Sequence, residues 1–208
     1  TPHYLRRSEI DMSEDDFVQY CASELKNLIQ QEGADTIAAF IAEPILRTGG
    51  IIPPPKGYWK AIKPILKDND ILLIADEVVT GFGRMGTMFG STYYDLEPDF
   101  ITIAKGLTSA YAPMSGSLVS KKIWKVLEQG TDENGPIGHG WTYSAHPICA
   151  AAGVANLKYL DDANLIENVK QIGPYFLNEL KNALADHIYI AEIRGEGLLA
   201  AIEFAEDK

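Results

Sequence analysis

Residues 71–105 read ILLIADEVVTGFGRMGTMFGSTYYDLEPDFITIAK, and the rest of the chain is interpreted outward from them. Two apolar runs stand out, 71–75 and 100–104, and each is followed at once by a charged residue, Asp76 after the first and Lys105 after the second. Aliphatic and β-branched runs without polar alternation predict strands covered on both faces, as in a parallel sheet clad by helices. Sheets of that kind bind ligands outside the carboxyl ends of their strands. Asp76 and Lys105 are therefore expected to meet in one crevice, where a buried carboxylate and a buried amine each need a partner.

Pyridoxal 5'-phosphate supplies both partners, because its aldehyde forms a Schiff base with a lysine and its ring nitrogen favours an acidic neighbour. On this reading Asp76 keeps the ring nitrogen protonated, which makes the ring an electron sink. Lys105 first holds the cofactor and then carries a proton. Burial or neighbouring cations must lower the lysine pKa for that second task near neutral pH. Val78 lies two residues beyond Asp76, on the same side of an extended chain, and reaches the same ring.

Five segments together resemble the class III aminotransferases, of the fold type I pyridoxal-phosphate enzymes. They are FIAEP at 40–44, DEVVTGFGRMG at 76–86, ITIAKGL at 101–107, TYSAHP at 142–147 and RGEGLLAAIEF at 194–204. Their order is that of the family, and together they cover nearly the whole chain. The resemblance implies that Asp76 pairs with the pyridine nitrogen, that Val78 packs on one ring face and that Lys105 forms the Schiff base. It further implies that Thr142 reaches the phosphate held by a neighbouring subunit, hence a homodimer or a dimer of dimers with shared sites. Glu43 corresponds to a glutamate near substrate or paired with an arginine; from the residues alone it reads equally well as the end of a strand. The implied substrates are a small amino donor and a keto acid acceptor. Where ornithine-type and 4-aminobutyrate-type relatives carry Gln, this chain has Val79, which resembles the ω-amino acid or amine:pyruvate branch. Rival readings are an aminomutase or decarboxylase on the same site, and an inactive interaction piece.

The implied architecture is α/β: a mostly parallel sheet with one antiparallel strand and helices on both faces. Residues 1–185 would form the cofactor-binding large domain and 186–208 the opening of a smaller α+β domain. The chain starts at Thr1, and the resemblance begins inside the large domain, so a fragment is expected. The turn that holds the phosphate and the aromatic that covers the other ring face are expected upstream, and a carboxylate-binding arginine downstream.

Composition narrows the alternatives. The 208 residues suffice for one sizeable core, and 46% hydrophobic with 10% aromatic content is that of a globular protein. A net charge of −11 argues against nucleic acid, which calls for a basic face. No apolar run approaches a membrane span and the first residues do not resemble a signal peptide, so no membrane partner and a cytoplasmic location are expected. Cys21 and Cys149 read as buried small hydrophobes rather than a disulfide pair, and no Cys/His spacing suggests a metal.

In chain order, Ser13 and Asp16 predict a helix cap, and an apolar stripe from Phe17 to Ile29 runs until Gly33. Residues 36–42 predict the first strand, 49–59 a Gly/Pro loop, and 58–67 a helix. GFGRMG at 81–86 matches the dinucleotide pattern G-x-G-x-x-G letter by letter, but that mechanism needs the glycines to open a helix. TMFGSTYYDLEPD carries no helical stripe, so the segment is read as a glycine-rich turn on the site floor. From Lys105 to the next strand-like run, 115–120, there is no room for a crossover helix, which predicts antiparallel pairing. Residues 121–129 predict a helix, and 131–140 a polar loop. Pro147 is placed at the first position of another helix, and His146 beside it is read as structural. A stripe from Leu165 to Leu184 predicts an amphipathic helix kinked near Gly173 and Pro174. Runs 188–193 and 198–204 predict strands around a turn at 194–197, with Arg194 structural rather than a substrate clamp.

Overall fold

A computed structural model describes residues 12–138 and 140–205. The main sheet has four strands, β1 (Ala39–Ala42), β2 (Leu72–Asp76), β3 (Phe100–Ile103) and β4 (Gly116–Val119), in that spatial order. β1, β2 and β3 are parallel, and β4 pairs antiparallel with β3, with Ile103 opposite Gly116. The short link after Lys105 thus reverses the chain as its length requires. Helices surround the sheet: α1 (Glu14–Glu32), α2 (Tyr58–Asp68), α4 (Lys121–Asn134), α5 (Pro147–Asp162) and α6 (Leu165–Ala183), with a four-residue α3 (Gly90–Tyr93).

α1 begins as the sequence predicts. Ser13 accepts the Asp16 N–H at 3.1 Å and donates to the Asp16 carboxylate at 2.7 Å, and the helix stops at Gly33. The first strand is shorter than expected. The Thr36 hydroxyl donates to the carbonyls of Glu32 and Gly33, which winds 34–36 into a 3₁₀ turn and delays the strand to Ala39. α4 gains a further turn beyond Gln129 and ends at Gly135.

The largest core joins α1 and α2 to one face of β1 and β2. Val18, Ala22, Ile62, Leu66 and Leu73 are buried there, with Phe40 and Ala42 packed against them. Alternation along β1 and β2 places Ile41, Ile74 and Asp76 on the other face, and Ile41 is 61% exposed.

β5 (Ile190–Glu196) and β6 (Leu199–Phe204) form a separate antiparallel hairpin. Arg194 lies within β5, not in the turn, because β5 continues to Glu196. It donates from Nε to the carbonyls of Gly50 (3.0 Å) and Ile51 (3.2 Å), and from Nη1 to Glu192 (2.8 Å) and Glu203. With the Leu198 N–H on the Arg84 carbonyl at 2.9 Å, this guanidinium fastens the hairpin to the loops at the ends of β1 and β2. α6 runs as one helix through Gly173 and Pro174.

Candidate active site

The register of the parallel strands assembles the site. Ala42 lies opposite Ala75, so the next position on each strand, Glu43 and Asp76, stands at the same level. Asp76 in turn pairs with Thr102, three residues before Lys105. Four sequence-predicted groups, Glu43, Asp76, Val78 and Lys105, thus gather at the carboxyl ends of three adjacent strands.

Asp76 is half-buried, and its Oδ1 accepts the Val78 N–H at 3.1 Å. That bond turns the chain off the sheet as an Asx turn does and fixes the carboxylate. Thr102, its register partner, carries a buried hydroxyl with no hydrogen-bond partner among the described residues. In a strand pair such neighbours share a face, so an orphan hydroxyl sits beside the Asp76 carboxylate; a buried orphan of this kind calls for an explanation. Thr102 is invisible in the sequence, where it reads as one polar letter inside FITIA.

Glu77 is treated oppositely. It is 0% exposed, and its carboxylate accepts the Thr80 hydroxyl (2.5 Å) and the N–H groups of Gly90 (2.8 Å) and Ser91 (2.5 Å). A carboxylate excluded from water requires such donors, and here they close the loop of residues 77–91 into a rigid floor. Within it, Phe82, Gly83 and Gly86 adopt left-handed backbone, and residues 81–88 form turns and bends. No helix opens at Gly86, the condition on which the dinucleotide reading depended. Val79 packs against the cluster of Ile45, Met85 and Leu199.

Lys105 opens a 3₁₀ turn (Lys105–Leu107) with φ of 43°, a left-handed conformation that costs a side-chain-bearing residue about 1–2 kcal/mol. Its residue is exposed, where the apolar run predicted a buried amine. The reason is that the apolar cover of FITIA ends with the strand, and the left-handed turn carries the lysine beyond it.

Glu43 is half-buried and its Oε2 accepts the Arg47 N–H at 3.0 Å, so it ends the strand and ties the following loop at once. Thr142 lies apart, exposed on a turn over residues 142–145 ahead of α5. Nearby, a cleft of about 590 Å³ opens between Met114 and Ser115 on one side and Trp141, Tyr143 and His146 on the other. His146 is the N-cap of α5, with Pro147 at its first position as predicted. Neither Cys21 nor Cys149 forms a disulfide among the described residues. Among the described residues no His/Cys/Asp/Glu group could hold a metal, and no helix is long and apolar enough to cross a membrane.

The sequence profile of the family described as aminotransferase class-III matches residues 3–208. The chain belongs to the class III aminotransferases. A diaminobutyrate–2-oxoglutarate transaminase of Halomonas elongata is 53% identical over 99% of this class III chain and 44% of the relative. A mitochondrial gamma-aminobutyrate transaminase 1 of rice, Oryza sativa subsp. indica, is 45% identical over 100% of the chain and 40% of the relative. The chain therefore spans less than half the length of these curated relatives. Among solved structures, a transaminase from ancestral reconstruction and directed evolution superposes with a TM-score of 0.95 at 58% identity, covering 100% of this chain and 45% of that one. An ω-transaminase of Pseudomonas jessenii in complex with PMP does so with a TM-score of 0.93 at 40% identity, over 99% and 45%. Class III aminotransferases are pyridoxal 5'-phosphate enzymes, with the fold type I sheet found here.

Proposed function

We propose that this chain is the part of a class III aminotransferase that presents the Schiff-base lysine, Lys105, and that the enzyme moves an amino group from an ω-amino acid or amine to a keto acid such as pyruvate. The observation that carries the reading is the left-handed Lys105 turn, at the end of the strand that holds the orphan Thr102 hydroxyl and one strand over from an oriented Asp76. Strained backbone on a charged residue at a strand end is a signature of functional sites.

The donor set suits the cofactor, whose bound ring supplies a sink for the electrons released when a substrate C–H bond breaks. Asp76, held through Oδ1 by the Val78 N–H, would leave its other oxygen for a ring N–H, with the spare Thr102 hydroxyl on the same face. Val78 would close one side of the ring. Lys105 Nζ would hold the aldehyde end of the cofactor and would take up and return the substrate proton. Glu77 excludes water from the floor beneath them. Glu43, at the same level as Asp76, stands on the substrate side.

The ω-amino donor class is supported by the substrates for which the relatives are named, diaminobutyrate and gamma-aminobutyrate, and by the ω-transaminase structures. Val79 resembles the amine:pyruvate branch, which supports pyruvate as the acceptor. Shared dimer sites are supported by the exposed aromatics around Thr142: Tyr111 is 90%, Trp141 72% and Tyr143 82% exposed. Thr142 then serves the phosphate in a partner's site. Residues from 186 onward are read as the opening of the smaller domain.

Absorbance spectra of the whole enzyme with cofactor test this directly. An ω-amine donor alone converts the cofactor to its amino form, and pyruvate restores the aldehyde form. A spectrum that returns without added keto acid, or product lacking the carboxyl carbon, replaces transamination by another reaction on the same site. Borohydride before donor must fix the cofactor on Lys105; fixation elsewhere overturns the lysine assignment.

A further inference from the structure

We propose that Asn156, in the middle of α5, is the positioning residue that holds Lys105 in its working direction. The inference rests on the assignment of Lys105 as the cofactor lysine.

A left-handed residue without glycine's freedom persists only where its surroundings over-determine it. Lys105 is followed by two more left-handed residues, Ser109 (φ 51°) and Ala110 (φ 65°), so the reversal from β3 to β4 carries unfavourable backbone at three positions. Local bonds span it: Leu107 N–H reaches the Ala104 carbonyl at 3.0 Å, Thr108 and Ala110 N–H reach the Lys105 carbonyl at 3.2 and 3.4 Å, Ser109 N–H reaches the Gly106 carbonyl at 3.3 Å, and the Thr108 hydroxyl donates to the Ala112 carbonyl at 2.6 Å. Beyond these the turn is gripped from two sides.

On one side lies Phe82 of the glycine-rich floor. A Cβ added to Gly106 would stand 3.1 Å from Phe82 Cβ and Cδ2, so the ring lies directly on the residue after the lysine. On the other side, the Asn156 side chain donates from Nδ2 to the Gly106 carbonyl at 2.8 Å and to the Leu107 carbonyl at 3.1 Å. Both partners are acceptors, and an amide nitrogen offers one hydrogen to each, which neither a hydroxyl nor a carboxylate can do. Gly153, one helical turn earlier on the same face, lies against the same turn: a Cβ there would stand in ordinary contact with Met114 Sδ (3.4 Å) and the Leu107 carbonyl (3.9 Å). α5 therefore packs against the lysine turn at Gly153 and bonds it at Asn156.

Loss of these bonds lets the Gly106 and Leu107 peptides rotate, and Lys105 relaxes toward ordinary backbone. That relaxation swings its Cα–Cβ vector away from the ends of β2 and β3. The effect falls on where Nζ points, not on the main core, to which Asn156 does not belong.

The experiment uses the whole enzyme that carries this chain, and compares the unaltered chain within it with Asn156→Asp, which keeps the shape but removes both donors, and Asn156→Gln, which retains them on a longer stem. Pyridoxal 5'-phosphate is trapped with borohydride, and its distribution over the lysines is read by peptide mapping. In the same samples, hydrogen exchange is followed over residues 105–110 and along α5. We expect preferential trapping on Lys105 in the unaltered chain. In Asn156→Asp that preference falls at least tenfold and exchange at 105–110 quickens at least tenfold, while other lysines and α5 keep their values. Asn156→Gln recovers part of both. Should the Asp variant not fold, Asn156→Ser, too short to reach both carbonyls, gives the same comparison. Equal trapping and equal exchange in all forms overturn the positioning role and leave the Lys105 assignment intact. Faster exchange confined to α5 overturns it as well, since it marks a purely helical role. No preference for Lys105 in the unaltered chain sinks the cofactor reading and this inference together.

Discussion

The part of the molecule built from α1, α2, β1 and β2 hides most of its apolar groups, Ile41 and Leu28 apart, whereas the part from Tyr111 to Tyr159 displays many of them. In the first, Phe17, Ile62 and Trp59 are almost wholly covered, and even the carboxylate of Glu77 is sealed in with three donors. In the second, Trp124, Trp141, Tyr143 and Ile148 are all more than half exposed. The difference teaches where stability resides and where surface is kept for other contacts. The packed half meets the polar-burial rule within itself, and the open half carries apolar area of the kind that marks binding sites.

The most severe way to break that contrast is to remove the polar keystone of the packed half. Glu77→Ala strands the Gly90 and Ser91 N–H groups in a water-free site and should cost about 3–5 kcal/mol, read as a lowered denaturant midpoint. Glu77→Gln keeps one acceptor and should lose about half as much. An unchanged midpoint in the Ala variant would show that the floor of the site is held by something else.

A matched pair sharpens the same contrast. Ile62, 1% exposed, and Ile148, 72% exposed, carry the same side chain on helices of the two halves. Ile62→Ala should lose about 2–5 kcal/mol through transfer and cavity terms. Ile148→Ala should stay within about 0.5 kcal/mol in chemical denaturation. Similar losses at both sites would erase the distinction between the halves.

The same contrast explains what could be read from the sequence. Local chemistry was legible: the Ser13 cap, the Gly33 stop, Pro147 at a helix start and the two apolar runs ending at Asp76 and Lys105 each fold as their own residues dictate. So was the antiparallel β4, because link length limits topology. What escaped was set by partners distant in the chain. Glu77 reads as a second acidic charge beside Asp76, and only the fold brings Gly90 and Ser91 to it. Thr102 and Asn156 are single polar letters within apolar segments, and Asn156 finds its carbonyls 50 and 49 residues away. Arg194, expected in a turn, lies in β5, and its targets at Gly50 and Ile51 lie 144 and 143 residues back. The exposure of Lys105 escaped as well, because hydrophobicity patterns report where a strand is covered and not where the cover ends.

The mildest test uses pH, and it too addresses the packed half. Burial, with the Cys21 thiol as a smaller cause, pushes the Tyr58 phenol from 10.0 up to about 12. Burial, with the Glu196 carboxylate next, likewise pushes up the Tyr94 phenol, and it raises Tyr93 to about 12. A folded-state pKa above the unfolded value means that the folded chain keeps its proton longer. Below pH 10 both states are protonated and the contribution is intact; between pH 10 and 12 only the unfolded state ionises, and stability falls. For Tyr58, 7% exposed, the two-unit gap amounts to about 2–3 kcal/mol by pH 12. Urea midpoints should hold level from pH 7 to 9.5 and decline above 10, and Tyr58→Phe should flatten part of that decline. An equal decline in the Phe variant would assign the alkaline sensitivity to the Tyr93–Tyr94 pair, where the floor of the site meets the hairpin, and would move the pH-sensitive joint out of the α1–α2 core.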